Sequence, residues 1–239
     1  MEQKQEGGGD PVSVRRAVLG GGLVMAGAGA LLAARPAQAA GAEPGWQAAR
    51  EAQDAWLDKP GVRHRLLLDT TTPAAAAGCL NYATTFYTSN QSGYGLGPET
   101  LGVVVVLRHF ATPFGYNDRI WARYGAQFVE KLKLTGDMAQ RGPKGNPLLH
   151  AAESAAPTKG ADEAPTLSTL QARGVHFAVC AAAGTHFAHM LAGSDASAAA
   201  AIEDELKANL IPGGVLVASG VVAVNRGQER GYALVSVVE

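Results

Sequence analysis

Residues 101–109 read LGVVVVLRH. Seven apolar residues stand in a row, and four of them are valine. A strand with one wet face alternates apolar and polar residues. A strand that is apolar throughout is covered on both faces, as parallel strands between helices are. Leu101 to Leu107 therefore reads as a central parallel strand. Arg108 and His109 follow it, so the C-terminal end of that strand carries charge.

The same grammar extends outward in both directions. Val62 to Asp69, VRHRLLLD, is a shorter apolar run that ends in a turn signal. Thr72 and Pro73 suit an N-cap and a first helical position. A helix is expected from Ala74 to about Thr88, carrying Cys79 and ended by Ser89–Gly93. Beyond the central strand, Asn117 to Leu132 reads as a helix with Trp121, Tyr124 and Phe128 on its core face. Residues 135–165 are rich in Gly, Pro and Ala and lack periodicity, which points to a functional loop or an insert. Leu167 to Arg173 is a short helix with Gly174 as its cap. Val175 to Val179 is the next strand, with Cys180 at its end. Helical sequence follows at about Thr185 to Leu191 and again at Ala196 to Asn209. Val215 to Ala218 is a strand, Val221 to Arg230 a turn or short helix, and Tyr232 to Val238 the last strand.

Strand and helix alternate, so the expected fold is α/β: three layers, α/β/α, around a mostly parallel sheet of about five strands. Three units are read along the chain. Residues 1–39 are a leader, 40–61 a lead-in, and 62–239 one domain.

The leader has the three parts of a signal peptide. Arg15 and Arg16 precede an uncharged run from Ala17 to Ala34, and Ala37 and Ala39 offer a cleavage site after Ala39. The arginine pair and the Gly-rich apolar core fit twin-arginine export, and hence a periplasmic or otherwise exported protein. Removing that leader leaves 200 residues with 16 basic and 18 acidic side chains. Such a balance gives no footprint for nucleic acid, and no second apolar run is long enough to span a membrane. No Gly-x-Gly-x-x-Gly or Walker loop follows a strand.

In such a sheet, ligands bind beyond the C-terminal ends of the strands. Asp69 with Thr70, Arg108 with His109, and Cys180 all fall there. A thiolate is the reactive form of cysteine, and a helix N-terminus or nearby cation favours it. Cys180 therefore reads either as a nucleophile tuned by Arg108, His109 and the helix bearing His186, or as a small buried strand-end residue. A disulfide with Cys79 is a further possibility. Cys180, His186 and His189 also form a weak candidate metal set, although Cys-x5-His-x2-His is not a familiar zinc spacing. His64 and His176 read as core or sheet-face residues, and His150 lies in the loop. No Gly-x-Ser-x-Gly occurs, and no serine sits in a strand-to-helix elbow beside a triad. A thiol hydrolase built on Cys180 is weaker still, since nothing fixes a histidine beside it.

The C-terminal half resembles the DsrE/DsrF-like family of sulfur-oxidation proteins. The likeness lies in the strand-then-cysteine segment from Gly174 to Ala182, in Leu210 to Val215, in Gly220 to Val224, and in Gln228 to Ala233. Val103 to His109, and Asn117, Asp118 and Trp121, look like an exported branch of that family. The likeness spans about Val62 to Glu239. It implies a three-layer fold, homo-oligomers built from trimers and no bound cofactor. It also implies a persulfide-carrying cysteine at the position of Cys180, served by a sulfur donor or acceptor protein. The sequence departs from the relay members after the cysteine helix, where Ala183 to Phe187 replaces an Arg-Gly pair. The thiol's position carries over; its donor and acceptor do not. A binding or assembly protein with a structural cysteine is the alternative.

Overall fold

The computed structural model describes residues 47–151 and 165–238. The expected leader, with Arg15, Arg16 and Ala39, lies outside the described residues. Five strands form one sheet: β1 (His64–Thr70), β2 (Leu101–Leu107), β3 (His176–Cys180), β4 (Gly214–Val217) and β5 (Ala233–Ser236). Their order is β4-β3-β2-β1-β5, and every pairing is parallel. The expected three-layer α/β/α fold is therefore present. The run at 101–107 is its centre, and all seven residues of β2 are buried.

The strand order fixes where the helices go. From β1 to β4 the chain steps in one direction, so crossovers of one hand lay their helices on one face. These helices are α1 (Pro73–Tyr94), α2 (Asp118–Lys131), α3 (Gly136–Arg141), α4 (Leu167–Ala172), α5 (Ala181–Ala192) and α6 (Ala198–Ala208). Leu66, Leu68, Val103, Val105, Phe177 and Val179 look toward that side and meet Trp121, Phe128 and Phe187 there. From β4 to β5 the chain returns across the whole sheet, and α7 (Gly220–Glu229) lies on the opposite face. That second core is thin. Leu67, Val104, Val106 and Ala178 pack against Ala223 of α7 and against Leu57.

Leu57 belongs to the lead-in, where a 3-10 turn spans Ala52–Leu57. It is locked down by the Tyr232 hydroxyl, which donates to the Leu57 carbonyl at 2.9 Å. The ring of His176, on β3, meets Trp56 edge-on at 6.2 Å. The described part of the lead-in, residues 47–61, thus packs onto the core through Trp56 and Leu57.

Several elements differ from the sequence reading, each for a physical reason. Helix α1 continues through Ser89–Gly93 to Tyr94 because those polar side chains are exposed or bond back to their own helix, as Asn90 does to the Phe86 carbonyl. It ends at Gly95, whose φ of 64° is the left-handed conformation that glycine adopts freely. Helix α5 starts at Ala181, not near Thr185, since three alanines of high helix propensity follow a sulfur that caps the turn. Helix α7 is a full ten-residue helix. Within 135–165, read as a functional loop or an insert, the described residues hold α3 and a buried clamp, while 152–164 lies outside the described residues. The clamp is Asn146, 3% exposed, whose amide donates to the carbonyls of Phe114 (2.8 Å) and Tyr116 (2.7 Å). His64, read as a core or sheet-face residue, lies exposed at the start of β1. No described helix is long and apolar enough to cross a membrane.

Candidate functional site

Parallel strands in register bring their C-terminal ends to one edge of the sheet. Asp69 pairs with Val106 and Leu107 with Val179, so the residues just beyond β1, β2 and β3 are neighbours. Asp69 is buried, with 8% exposure, and a lone carboxylate there would be costly. Arg108 answers it with two parallel bonds, Nε to Oδ1 at 2.7 Å and Nη2 to Oδ2 at 2.8 Å. Those bonds raise the Arg108 pKa, with Asp69 the largest cause and Cys180 among the smaller ones. The guanidinium is thereby fixed near the thiol.

His109 leaves β2 in a left-handed conformation, with φ of 54°. This is a strained setting for a residue with a Cβ. The bond from Phe110 N–H to the Thr71 carbonyl holds the turn, and the His109 ring lies against Phe110 at 4.3 Å. Phe110 stays 44% exposed at the mouth of the site.

Cys180 is the last residue of β3 and the N-cap of α5. Its Sγ accepts the Ala183 N–H at 3.4 Å, and the residue is 5% exposed. The possible disulfide between Cys180 and Cys79 is not formed. Cys79 is buried in α1, where its thiol donates to the Ala76 carbonyl at 3.0 Å. Behind the thiol, the hydroxyl of buried Tyr116 presses on Gly184 so closely that a Cβ there would come within 2.8 Å of it. Burial raises the Tyr116 pKa, and the charges of Cys180 and Glu203 add to the effect.

These parts surround a cavity of about 390 Å³, lined among others by Arg108, His109, Cys180, His186, Ser219 and Gly220. Its place follows from topology. The chain leaves β3 toward one face, through α5, and leaves β4 toward the other, through α7. Adjacent strands whose exits diverge open a crevice between them, and this is where α/β proteins of this kind bind ligands. Gly220 is required by the packing. A Cβ on it would lie 2.4 Å from Arg108 Cβ and 2.7 Å from Arg108 Cδ. Ser219, Phe110 and Tyr116 were not singled out from sequence, and Gly220 only as the start of a family-like segment, although Ser219-Gly220 after a strand is itself a helix-start signal.

No protein-family model, curated protein or solved structure matches this chain. The site therefore has to be read from its own chemistry.

Of the residues expected at the site, Cys180, Arg108, His109 and His186 line one cavity, and Asp69 supports it from beneath Arg108. His189 does not join them. It sits exposed in the last turn of α5. Among the described residues no group of three or more His, Cys, Asp or Glu side chains is placed to hold a metal ion.

A different row of residues does come together. Ser168 Oγ lies 3.3 Å from His150 Nδ1, and His150 Nε2 lies 3.3 Å from Asp118 Oδ2. This resembles a hydrolase triad in composition, but the nearby donors are committed. The N–H groups of Leu167, Ser168 and Thr169 bond to the Leu148 carbonyl, the Leu149 carbonyl and Thr166 Oγ1. No oxyanion donor remains in that turn. The row ties α4, α2 and the 142–150 segment together at the surface.

Proposed function

We propose that this chain is an exported, DsrE-like protein that carries sulfur through Cys180. The observation that supports this most is the setting of the thiol. A nearly buried cysteine caps a helix, beside a fixed guanidinium, at the switch-point cavity of a parallel sheet. In the step envisaged, the Cys180 thiolate attacks the outer sulfur of a donor persulfide, R–S–SH. The new S–S bond forms as the donor's S–S bond breaks, and R–S⁻ leaves. Cys180 becomes a persulfide, and the proton stays on the transferred sulfur. No oxidant or reductant is consumed. Arg108 and the first turn of α5 stand beside the sulfur that attacks.

The reading includes passage across a membrane by the twin-arginine route, a homo-oligomeric assembly and a donor or acceptor protein. The thin second face, and the exposed Leu216, Val222 and Leu234 on the edge strands and α7, support assembly. The test is transfer in vitro. Reduced protein is incubated with inorganic polysulfide, and the Cys180 peptide is weighed without reduction. A peptide heavier by whole sulfur atoms, absent from a Cys180→Ser variant, is the expected result. An unmodified peptide contradicts the proposal.

One observation favours a second reading. Sγ already serves as a helix cap, which a purely structural cysteine would also do. In that case the protein binds or assembles without thiol chemistry, and Cys180→Ser, which keeps a capping oxygen, retains every function.

A further inference from the structure

We infer that the Cys180 crevice binds a small organic anion, with its charge at Arg108 and the N-terminus of α7 and its apolar part against Phe110, Phe187 and Val221. The inference rests on the proposal that this cavity is the working site, and it names the kind of molecule that enters it.

The charge pattern comes first. Arg108, His109 and His186 line the crevice, and no carboxylate does; Asp69 lies behind Arg108. Two of the five guanidinium N–H groups are used by Asp69, which leaves three for a ligand. Two helices also begin at the cavity wall. In α5 the early N–H groups are engaged, Ala182 with the Ala218 carbonyl and Ala183 with Sγ, so this helix contributes mainly its dipole. In α7 Ser219 makes no capping bond with its side chain, so the first turn presents uncapped N–H groups beside Gly220 and Val221. Cys180, 5% exposed, lines the same cavity, and its Sγ is already engaged by the Ala183 N–H.

The walls decide the rest of the ligand. Ala182, Ala183, Phe187 and Val221 make most of the lining apolar, and Phe110 and Val221 remain 44% and 59% exposed at the mouth. Inorganic sulfate would leave those walls uncovered. A volume of about 390 Å³ suits a molecule of drug-fragment size, not a protein side chain alone.

The test uses the full chain carrying Cys180→Ser, so that binding is read without thiol chemistry. Calorimetry at low salt compares 4-toluenesulfonate with inorganic sulfate and with benzyl alcohol. Toluenesulfonate is expected to bind about tenfold more tightly than either comparator. Val221→Asp puts a carboxylate at the second position of α7, where helices favour it, and so keeps the fold while repelling the ligand. It is expected to weaken toluenesulfonate about tenfold with the melting temperature unchanged. Equal binding of all three compounds, or binding indifferent to Val221→Asp, overturns the inference. Failure of sulfur transfer shows itself separately, in the mass of the wild-type Cys180 peptide.

Discussion

Gly220→Ala is the substitution that most directly tests how the site is built. Gly220 opens α7 and lies against the stem of Arg108. An added Cβ would meet Arg108 Cβ at 2.4 Å, Cδ at 2.7 Å and Cγ at 3.0 Å. Arg108 Cβ is anchored to the end of β2, so either α7 backs away or the guanidinium swings off Asp69. In the second case a carboxylate of 8% exposure loses both bonds. Removing one partner of a fully buried pair costs about 3–5 kcal/mol. The Arg108 side chain is 28% exposed, which brings the figure to roughly 2–3 kcal/mol. Backing α7 away is a small-to-large change, also about 1–3 kcal/mol. The helical preference of alanine over glycine returns at most about 1 kcal/mol. The net loss is about 2 kcal/mol, or a melting temperature lower by roughly 4–8 °C for a domain of this size. Iodoacetamide should also reach Cys180 faster, as α7 forms one wall of its cavity. The control is Gly93→Ala within α1, where an added Cβ meets nothing within 4 Å and stability should rise slightly. A Gly220→Ala protein that melts with wild type and alkylates at the wild-type rate would refute this account of the crevice.

Other perturbations separate the roles of individual groups. Cys180→Ala removes the cap on Ala183 and should cost about 1 kcal/mol in denaturant unfolding, whereas Cys180→Ser should stay within about 0.5 kcal/mol of wild type. Equal losses in both would show that the sulfur does not cap. Asn146→Ala strips the buried Phe114 and Tyr116 carbonyls of their donor, so a loss of about 2–4 kcal/mol is expected. A near-neutral result would mean that the 142–150 segment is not a clamp. Burial lowers the His176 pKa, and Lys59 lowers it further. The unfolded chain therefore takes up the proton first on acidification, and stability falls as pH drops below the free histidine value of about 6.5. His176→Gln should flatten that part of the stability profile, and an unchanged slope would assign the acid sensitivity elsewhere.

Much of this was legible in the sequence because burial on both faces leaves a clear mark. LGVVVVL can be little else than a central strand, and Asp69, Arg108 and Cys180 stand at its edge by the logic of parallel pairing. The parts that escaped depend on tertiary contacts. Cys180 does not belong to the usual capping residues, so the start of α5 was placed too late. Gly220 matters through Arg108, 112 positions earlier in the chain. His150, Ser168 and Asp118 meet only because α2, α4 and the intervening segment pack together. Asn146 lies in a stretch whose composition suggests a loop, and its clamp is visible only when the carbonyls it serves are in place. The histidines were legible in part. His64 and His189 are exposed, and only His109 and His186 line the cavity.

The central claim is that Cys180 is a working thiol rather than a strand-end filler. The most direct measurement is the intact mass of the protein taken from its own cells, with free thiols trapped at lysis and no reductant added. A species heavier by one sulfur atom, with the added mass on the Cys180 peptide, is the result predicted. A homogeneous protein that carries no sulfur and whose Cys180 resists labelling until the chain is unfolded would contradict it.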